Sequence, residues 1–144
     1  MSTHVRYLFD ECLGKPSMEQ LRLMVSTESE FAHILDFFDQ KTPDNVWIPK
    51  IASDGEWIII TSDGGRQSKK GDKLPELCKE YGITHVVLSP KLHQRRAHEK
   101  ISALSFVWEQ ITKLELEPPG CRFDLQIKQK KGSSELSFVL VKHE

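Results

Sequence analysis

The feature that most constrains the fold is a short apolar run in the middle of the chain. Residues 56–61 read EWIIIT, with Gly55 before them and Ser62 and Asp63 after them. A strand that is apolar on both faces is typical of a central strand in a parallel sheet, where helices cover both sides. The run therefore predicts an α/β fold with a buried sheet.

Predicted strands and helices alternate on both sides of this run. The sequence predicts further strands over residues 5–9 and 83–88 and helices over residues 16–25, 44–53, 73–81 and 94–114, the last with Phe106 on its apolar side. Residues 30–38 fit either helical spacing or a short strand, and only the alternation favours a strand. Such alternation predicts a three-layer α/β/α architecture with a parallel sheet of four or more strands.

The composition of the chain changes after Pro118, Pro119 and Gly120. Apolar and polar residues then alternate over residues 123–127 and 136–140, which predicts an antiparallel β-hairpin. About thirty residues cannot easily form a domain of their own. We therefore predict one α/β domain over residues 1–114 and a hairpin extension over residues 115–144 that packs on it.

Charge and cysteine content narrow the functional classes. The formal net charge of −1 gives no general attraction to nucleic acid, so a polyanion would need a local basic patch. The three cysteines, Cys12, Cys78 and Cys121, lie far apart and lack the spacing of zinc sites, which predicts a reducing cytoplasmic location. No apolar run is long enough to cross a bilayer, so we expect neither secretion nor membrane insertion.

Acidic residues follow two of the predicted strands. Asp10 and Glu11 follow the first strand and Asp63 follows the third, at the sheet edge where α/β proteins place functional groups. If these strands are neighbours, Asp10 and Asp63 face one another, and Asp44 at a helix start could complete the cluster. Carboxylates this close are best compensated by a hard divalent ion such as Mg²⁺ or Mn²⁺. Such an ion can promote phosphodiester hydrolysis. Singly, each acid could also be a helix cap or a solvated loop residue, Asp44 above all.

Three segments taken together have the order and spacing of a known family. They are YLFDE at residues 7–11, PDNVWI at residues 43–48 and IIITSD at residues 58–63. The chain resembles the PIN-like domains over residues 5–113, in particular the small VapC-related toxins. The resemblance implies that residues 30–35 form the second strand, that Asp10, Asp44 and Asp63 are metal ligands and that Glu11 is an auxiliary catalytic acid. It also implies a metal-dependent endoribonuclease, the toxin of a pair whose antitoxin covers the acidic pocket.

Basic residues beyond the third and fourth strands could bind the RNA backbone. The candidates for phosphate contact are Arg66, Lys69, Lys70 and Lys73 after the third strand and Lys91, His93, Arg95, Arg96 and Lys100 after the fourth. An ordinary solvated face is the alternative interpretation of the same residues, since most Lys and Arg side chains are exposed in any protein.

Two other functions remain open at this point. A phosphoacceptor receiver domain also has an acid pair after its first strand and an aspartate after its third, but it needs a fifth strand followed by a lysine. Here a long helix and an antiparallel hairpin are predicted instead. A non-catalytic binding module is favoured by Gly64 and Gly65 and by the lack of a fourth acid after residues 83–88. An exposed edge strand in the hairpin would favour a homodimer.

Overall fold

The computed structural model describes residues 5–25, 30–62, 74–129 and 131–143. Within these ranges, the strands form one sheet in the order β2-β1-β3-β4-β5-β6. Their bounds are β1 Arg6–Phe9, β2 Glu30–His33, β3 Trp57–Thr61, β4 Thr84–Leu88, β5 Arg122–Gln129 and β6 Leu136–His143. All neighbouring strands are parallel except β5 and β6, which form an antiparallel hairpin. The predicted α/β architecture is confirmed.

Helices cover both faces of the sheet. Their bounds are α1 Lys15–Val25, α2 Asp44–Ser53, α3 Leu74–Glu80, α4 Pro90–His93 and α5 Ala97–Thr112, with short 3₁₀ turns at Ile34–Asp36 and Lys113–Leu116. Helices α1 and α5 pack on one face, and α2 and α3 pack on the other. None of the helices in the described residues is long and apolar enough to cross a membrane.

The central strands are buried as the apolar run predicts. Every residue of β3 and of β4 is buried. Ile58 and Ile60 join the core under α1 and α5, whereas Trp57 and Ile59 join the core under α2 and α3. Burial on both faces explains why β3 carries no polar residue until Thr61.

The sheet reverses its direction of winding at β1. Strand β2 lies on one side of β1 and β3 lies on the other, with Phe9 in register with Ile60. The amide of Asp10 continues this pairing by donating to the carbonyl oxygen of Ile60 at 3.2 Å. In open parallel sheets, ligands bind in the crevice at such a switch point, beyond the carboxyl ends of the strands.

The C-terminal hairpin is part of the main sheet. Strand β5 is parallel to β4, with Val86 in register with Phe123 and Leu88 in register with Leu125. Phe123 and Leu125 complete the core under α5. The chain therefore does have a fifth parallel strand, which the sequence analysis did not anticipate.

The long helix predicted over residues 94–114 corresponds to α5, and a separate one-turn helix, α4, precedes it. Helix α4 starts at Pro90, which suits the first turn of a helix, and the Ser89 hydroxyl accepts a hydrogen bond from the amide of Leu92. Arg96 then has an extended backbone, with φ −68° and ψ 159°, and α5 begins after it. Phe106 is 66% exposed and not buried as predicted, and its ring contacts that of Phe138.

Candidate active site

A cleft with a volume of about 810 Å³ opens at the carboxyl ends of β1, β3 and β4 and extends over the face of β5. This volume lies within the usual range for ligand-binding clefts. Its acidic lining residues are Asp10, Glu11, Asp39, Asp44 and Asp124. The cationic groups that line it within the described residues are Lys41 and Arg122.

Asp10 is held in a tight turn at the end of β1. Its Oδ1 accepts a hydrogen bond from the amide of Cys12 at 2.8 Å, and its carbonyl oxygen accepts one from the amide of Leu13 at 3.3 Å. Aspartate favours such turns because its short side chain can bond the backbone two residues ahead. The turn orients the half-buried carboxylate at the switch point.

A buried histidine fixes the far side of the same turn. His33, at the end of β2, accepts a hydrogen bond from the amide of Leu35 at its Nδ1. Its Nε2 therefore carries the ring proton and donates to the carbonyl oxygen of Leu13 at 2.7 Å. The neighbouring strand thus braces the loop that carries Asp10 and Glu11.

Asp44 is the first residue of α2. The indole Nε1 of Trp47, one helical turn later, donates to Asp44 Oδ1 at 3.0 Å, and the Trp47 ring is 2% exposed. Asp44 also lies near the buried Cys78 of α3, whose thiol pKa is raised by burial and further by the charge of Asp44. A core tryptophan therefore orients this carboxylate.

Cys12 lies beside the acids but offers no reactive thiolate. Burial raises the pKa of its thiol well above the ordinary value, and the nearby charge of Asp10 raises it further. A protonated thiol is a poor metal ligand and a poor nucleophile. Cys12 is consequently neither a metal ligand nor a nucleophile in the cleft.

The structure brings three of the four predicted acids to one cleft: Asp10, Glu11 and Asp44. Asp63 lies outside the described residues, directly after Ser62, which lines the cleft. Considering only residues 5–25, 30–62, 74–129 and 131–143, no group of three or more His, Cys, Asp or Glu side chains is close enough to hold a metal ion.

Of the predicted phosphate-contacting residues that the structure describes, His93 lines the cleft and the others do not. Lys73 lies outside the described residues. Lys91 lies on α4, and Arg95 and Arg96 follow that helix with exposed side chains. Arg95 forms an ion pair with Glu99 at 3.2 Å. Arg66, Lys69 and Lys70 lie outside the described residues.

Strand β5 contributes cleft residues that the sequence analysis missed. Arg122, Asp124 and Gln126 line the cleft, while Phe123 and Leu125, which alternate with them, are buried under α5. The alternation was visible in the sequence as a sign of a strand with one polar face. It could not show that this face meets the acids, because that follows from the parallel pairing of β5 with β4.

A buried polar pair lies beneath this part of the cleft. Thr61 Oγ1 and His85 Nε2 are 2.8 Å apart, and both residues are fully buried. Burial, together with the positive charge of Arg122, lowers the pKa of His85 to about 3. His85 is therefore neutral at physiological pH, and Arg122 lies close to it on the cleft side.

Comparison with known proteins gives one match. A family model described as a PIN like domain matches residues 5–90, which include β1 to β4 and the three acids above. No curated protein and no solved structure matches the chain significantly. The matched region ends before α5, β5 and β6.

Proposed function

Because this chain belongs to the PIN-like domain family, we propose that it is a metal-dependent endoribonuclease that hydrolyses RNA in the acidic cleft. PIN-like domains are commonly nucleases, so membership of the family supports a hydrolase activity. The observation that carries the proposal is that Asp10, Glu11 and Asp44 line one cleft at the switch point of the sheet.

The donor atoms of the cleft are of the chemical type that Mg²⁺ and Mn²⁺ prefer. Asp10, Glu11 and Asp44 supply carboxylate oxygens, which hard divalent ions prefer, while the thiol of Cys12 stays protonated. Asp63, which follows Ser62 in the sequence, is the remaining proposed ligand. A bound ion would supply Lewis-acid stabilisation of the phosphodiester and a more acidic water molecule.

The chain's own groups orient the acids before any substrate arrives. The amide of Cys12 holds Asp10 and the indole of Trp47 holds Asp44, each through one carboxylate oxygen. Fixed ligands lose little conformational entropy on binding an ion, so this arrangement favours a defined site over a diffuse acidic surface. Glu11 is exposed and serves as the auxiliary acid.

The biological setting is a further part of the proposal. We assign the protein to the cytoplasm and to the VapC-related toxin branch, where a cognate antitoxin would cover the cleft. The open edge of β6 could pair with a second copy to give a homodimer. An antitoxin is expected to inhibit by contributing a basic or apolar segment to the net acidic cleft.

The proposal is tested by incubating end-labelled single-stranded RNA with purified protein in Mg²⁺, Mn²⁺ or EDTA. Asp10→Asn, Asp44→Asn and Asp63→Asn are each expected to lower cleavage at least about 100-fold, because each removes a charge at the reacting centre. Asp54→Asn is the matched control, since Asp54 is exposed and pairs with Arg6 away from the cleft. Cleavage that persists in EDTA, or in the folded Asp10→Asn variant, would contradict the proposal.

A phosphoacceptor receiver is the second candidate, because β5 supplies the fifth parallel strand that such a domain needs. The strand order β2-β1-β3-β4-β5 is also that of receiver sheets. However, the last β5 residue that lines the cleft is Gln126, and Lys128 does not line it. The lysine that a receiver needs is therefore not supplied to the cleft by β5. Incorporation of phosphate from acetyl phosphate at Asp63 would favour the receiver over the nuclease.

A further inference from the structure

Arg122 is placed in the cleft by a strand outside the matched family region. It is the first residue of β5 and lies in register with His85 at the start of β4. Its Nε donates to Asp124 Oδ1 at 3.0 Å, so the side chain extends along the strand towards the carboxyl edge of the sheet. The guanidinium therefore lies in the cleft that the acids also line.

The guanidinium is held firmly while part of it stays accessible. Asp124 also contacts His143 of β6, at 3.3 Å from Oδ2 to Nδ1, which fixes the carboxylate that anchors Arg122. The Arg122 side chain is 27% exposed. Within the described residues, neither Nη group has a hydrogen-bond partner. These two groups can form the paired hydrogen bonds with which arginine binds phosphate oxygens.

The charge of the cleft creates a need for such a group. An RNA strand is a polyanion, and Asp10, Glu11, Asp39 and Asp44 would repel it along the path to the switch point. Lys41 and Arg122 are the cations lining the cleft in the described part of the chain. Lys41 is exposed on a turn, whereas Arg122 is partly buried and tied to Asp124. A partly buried, anchored cation is less screened by salt.

Resting on the ribonuclease function proposed above, we infer that Arg122 binds a backbone phosphate of the RNA and positions the strand against the acids of the cleft. Asp124 and His143 act through Arg122 by fixing its direction. The family match ends at residue 90, so this contact is a property of the C-terminal strands of this chain.

Salt dependence of RNA binding tests the inference. Each phosphate contact to a single strand contributes about 0.7 to the slope of log affinity against log salt concentration. Binding of a fluorescent single-stranded RNA is measured by anisotropy in Ca²⁺, with the RNA checked to remain intact. Arg122→Gln is expected to lower the slope by about 0.7, and Arg122→Lys is expected to retain it. Arg22→Gln, which removes an arginine paired with Glu19 on α1, is the matched control and keeps the wild-type slope.

Two further variants separate phosphate binding from a structural role. Asp124→Asn keeps the cation but removes the carboxylate that directs it, so the slope is expected to fall, by less than in Arg122→Gln. If Arg122→Gln fails to fold, the double variant Arg122→Gln/Asp124→Asn is used, because it removes both partners of the ion pair and leaves neither charge unpaired. Its slope is expected to be about 0.7 lower than that of the wild type. Equal slopes for the wild type and the folded Arg122→Gln or double variant would overturn the inference and leave the nuclease proposal intact. A wild type that neither binds nor cleaves RNA would overturn both.

Discussion

At the residue scale, the most unusual group is the buried pair of Thr61 and His85. Thr61 is the last residue of β3, and His85 on β4 is in register with Arg122. The pair lies beneath the cleft. The sequence showed a histidine within an apolar strand but not its partner, because Thr61 and His85 are brought together only by the pairing of β3 with β4. A strand pattern identifies which residues are buried, whereas hydrogen-bond partners depend on register.

His85 predicts a specific pH dependence of stability. Its folded-state pKa of about 3 lies below the ordinary value of 6.5, so the unfolded chain binds more protons between these values and stability falls as the pH falls. Between pH 7 and pH 5, this group is expected to remove about 2 kcal/mol from the free energy of unfolding. Urea unfolding at both pH values measures this change for the wild type and for His85→Asn. From pH 7 to pH 5, the free energy of unfolding of the variant is expected to fall by about 2 kcal/mol less than that of the wild type.

His98→Asn provides the control for the loss of an imidazole, because His98 is exposed on α5. It is expected to follow the wild-type pH profile. Parallel profiles for the wild type and His85→Asn would contradict the assignment of a buried, neutral His85.

At the element scale, the sequence predicted most strands and helices because their signals are local. The apolar run of β3 and the proline at the start of α2 need no distant partner to be recognised. Phe106 was assigned to the buried side of α5, although it lies two residues from Leu104 and so about 200° around the helix. Its contact, Phe138, is on β6, and no local pattern indicates that pairing.

Two leucine-to-alanine variants test how α5 and the 3₁₀ turn after it are packed. Leu104 of α5 is fully buried, whereas Leu116, in the 3₁₀ turn that follows, is 86% exposed. Leu104→Ala is expected to lower the free energy of unfolding by about 2–5 kcal/mol, because it leaves a cavity in the core. Leu116→Ala is expected to change it by less than about 0.5 kcal/mol. Denaturant unfolding measures both values, and equal effects would contradict the described packing.

At the scale of the whole molecule, the C-terminal hairpin completes both the sheet and the cleft. Phe123 and Leu125 enter the core, and Arg122 and Asp124 line the cleft from the opposite face of the same strand. The sequence predicted the hairpin from its alternation. It did not predict the parallel pairing with β4, because strand order is decided by tertiary packing over a connection that contains α5.

A chain truncated after residue 114 is expected to lack cooperative folding. Removing β5 leaves β4 as an exposed apolar edge and opens the core beside Leu88. Thermal unfolding followed by circular dichroism is expected to show no cooperative transition for this fragment. Co-expression with residues 115–144 as a separate chain serves as the control and is expected to restore the transition. A monomeric fragment that unfolds cooperatively by itself would show that residues 1–114 form an independent domain.

The central claim is that the acids gathered at the switch point act together on one divalent ion. Calorimetric titration of the protein with Mn²⁺ tests this claim without depending on the choice of RNA. We expect saturable binding that Asp10→Asn and Asp44→Asn each weaken by at least about tenfold, while Asp54→Asn leaves it unchanged. Wild-type affinity for Mn²⁺ in both folded cleft variants would contradict the claim.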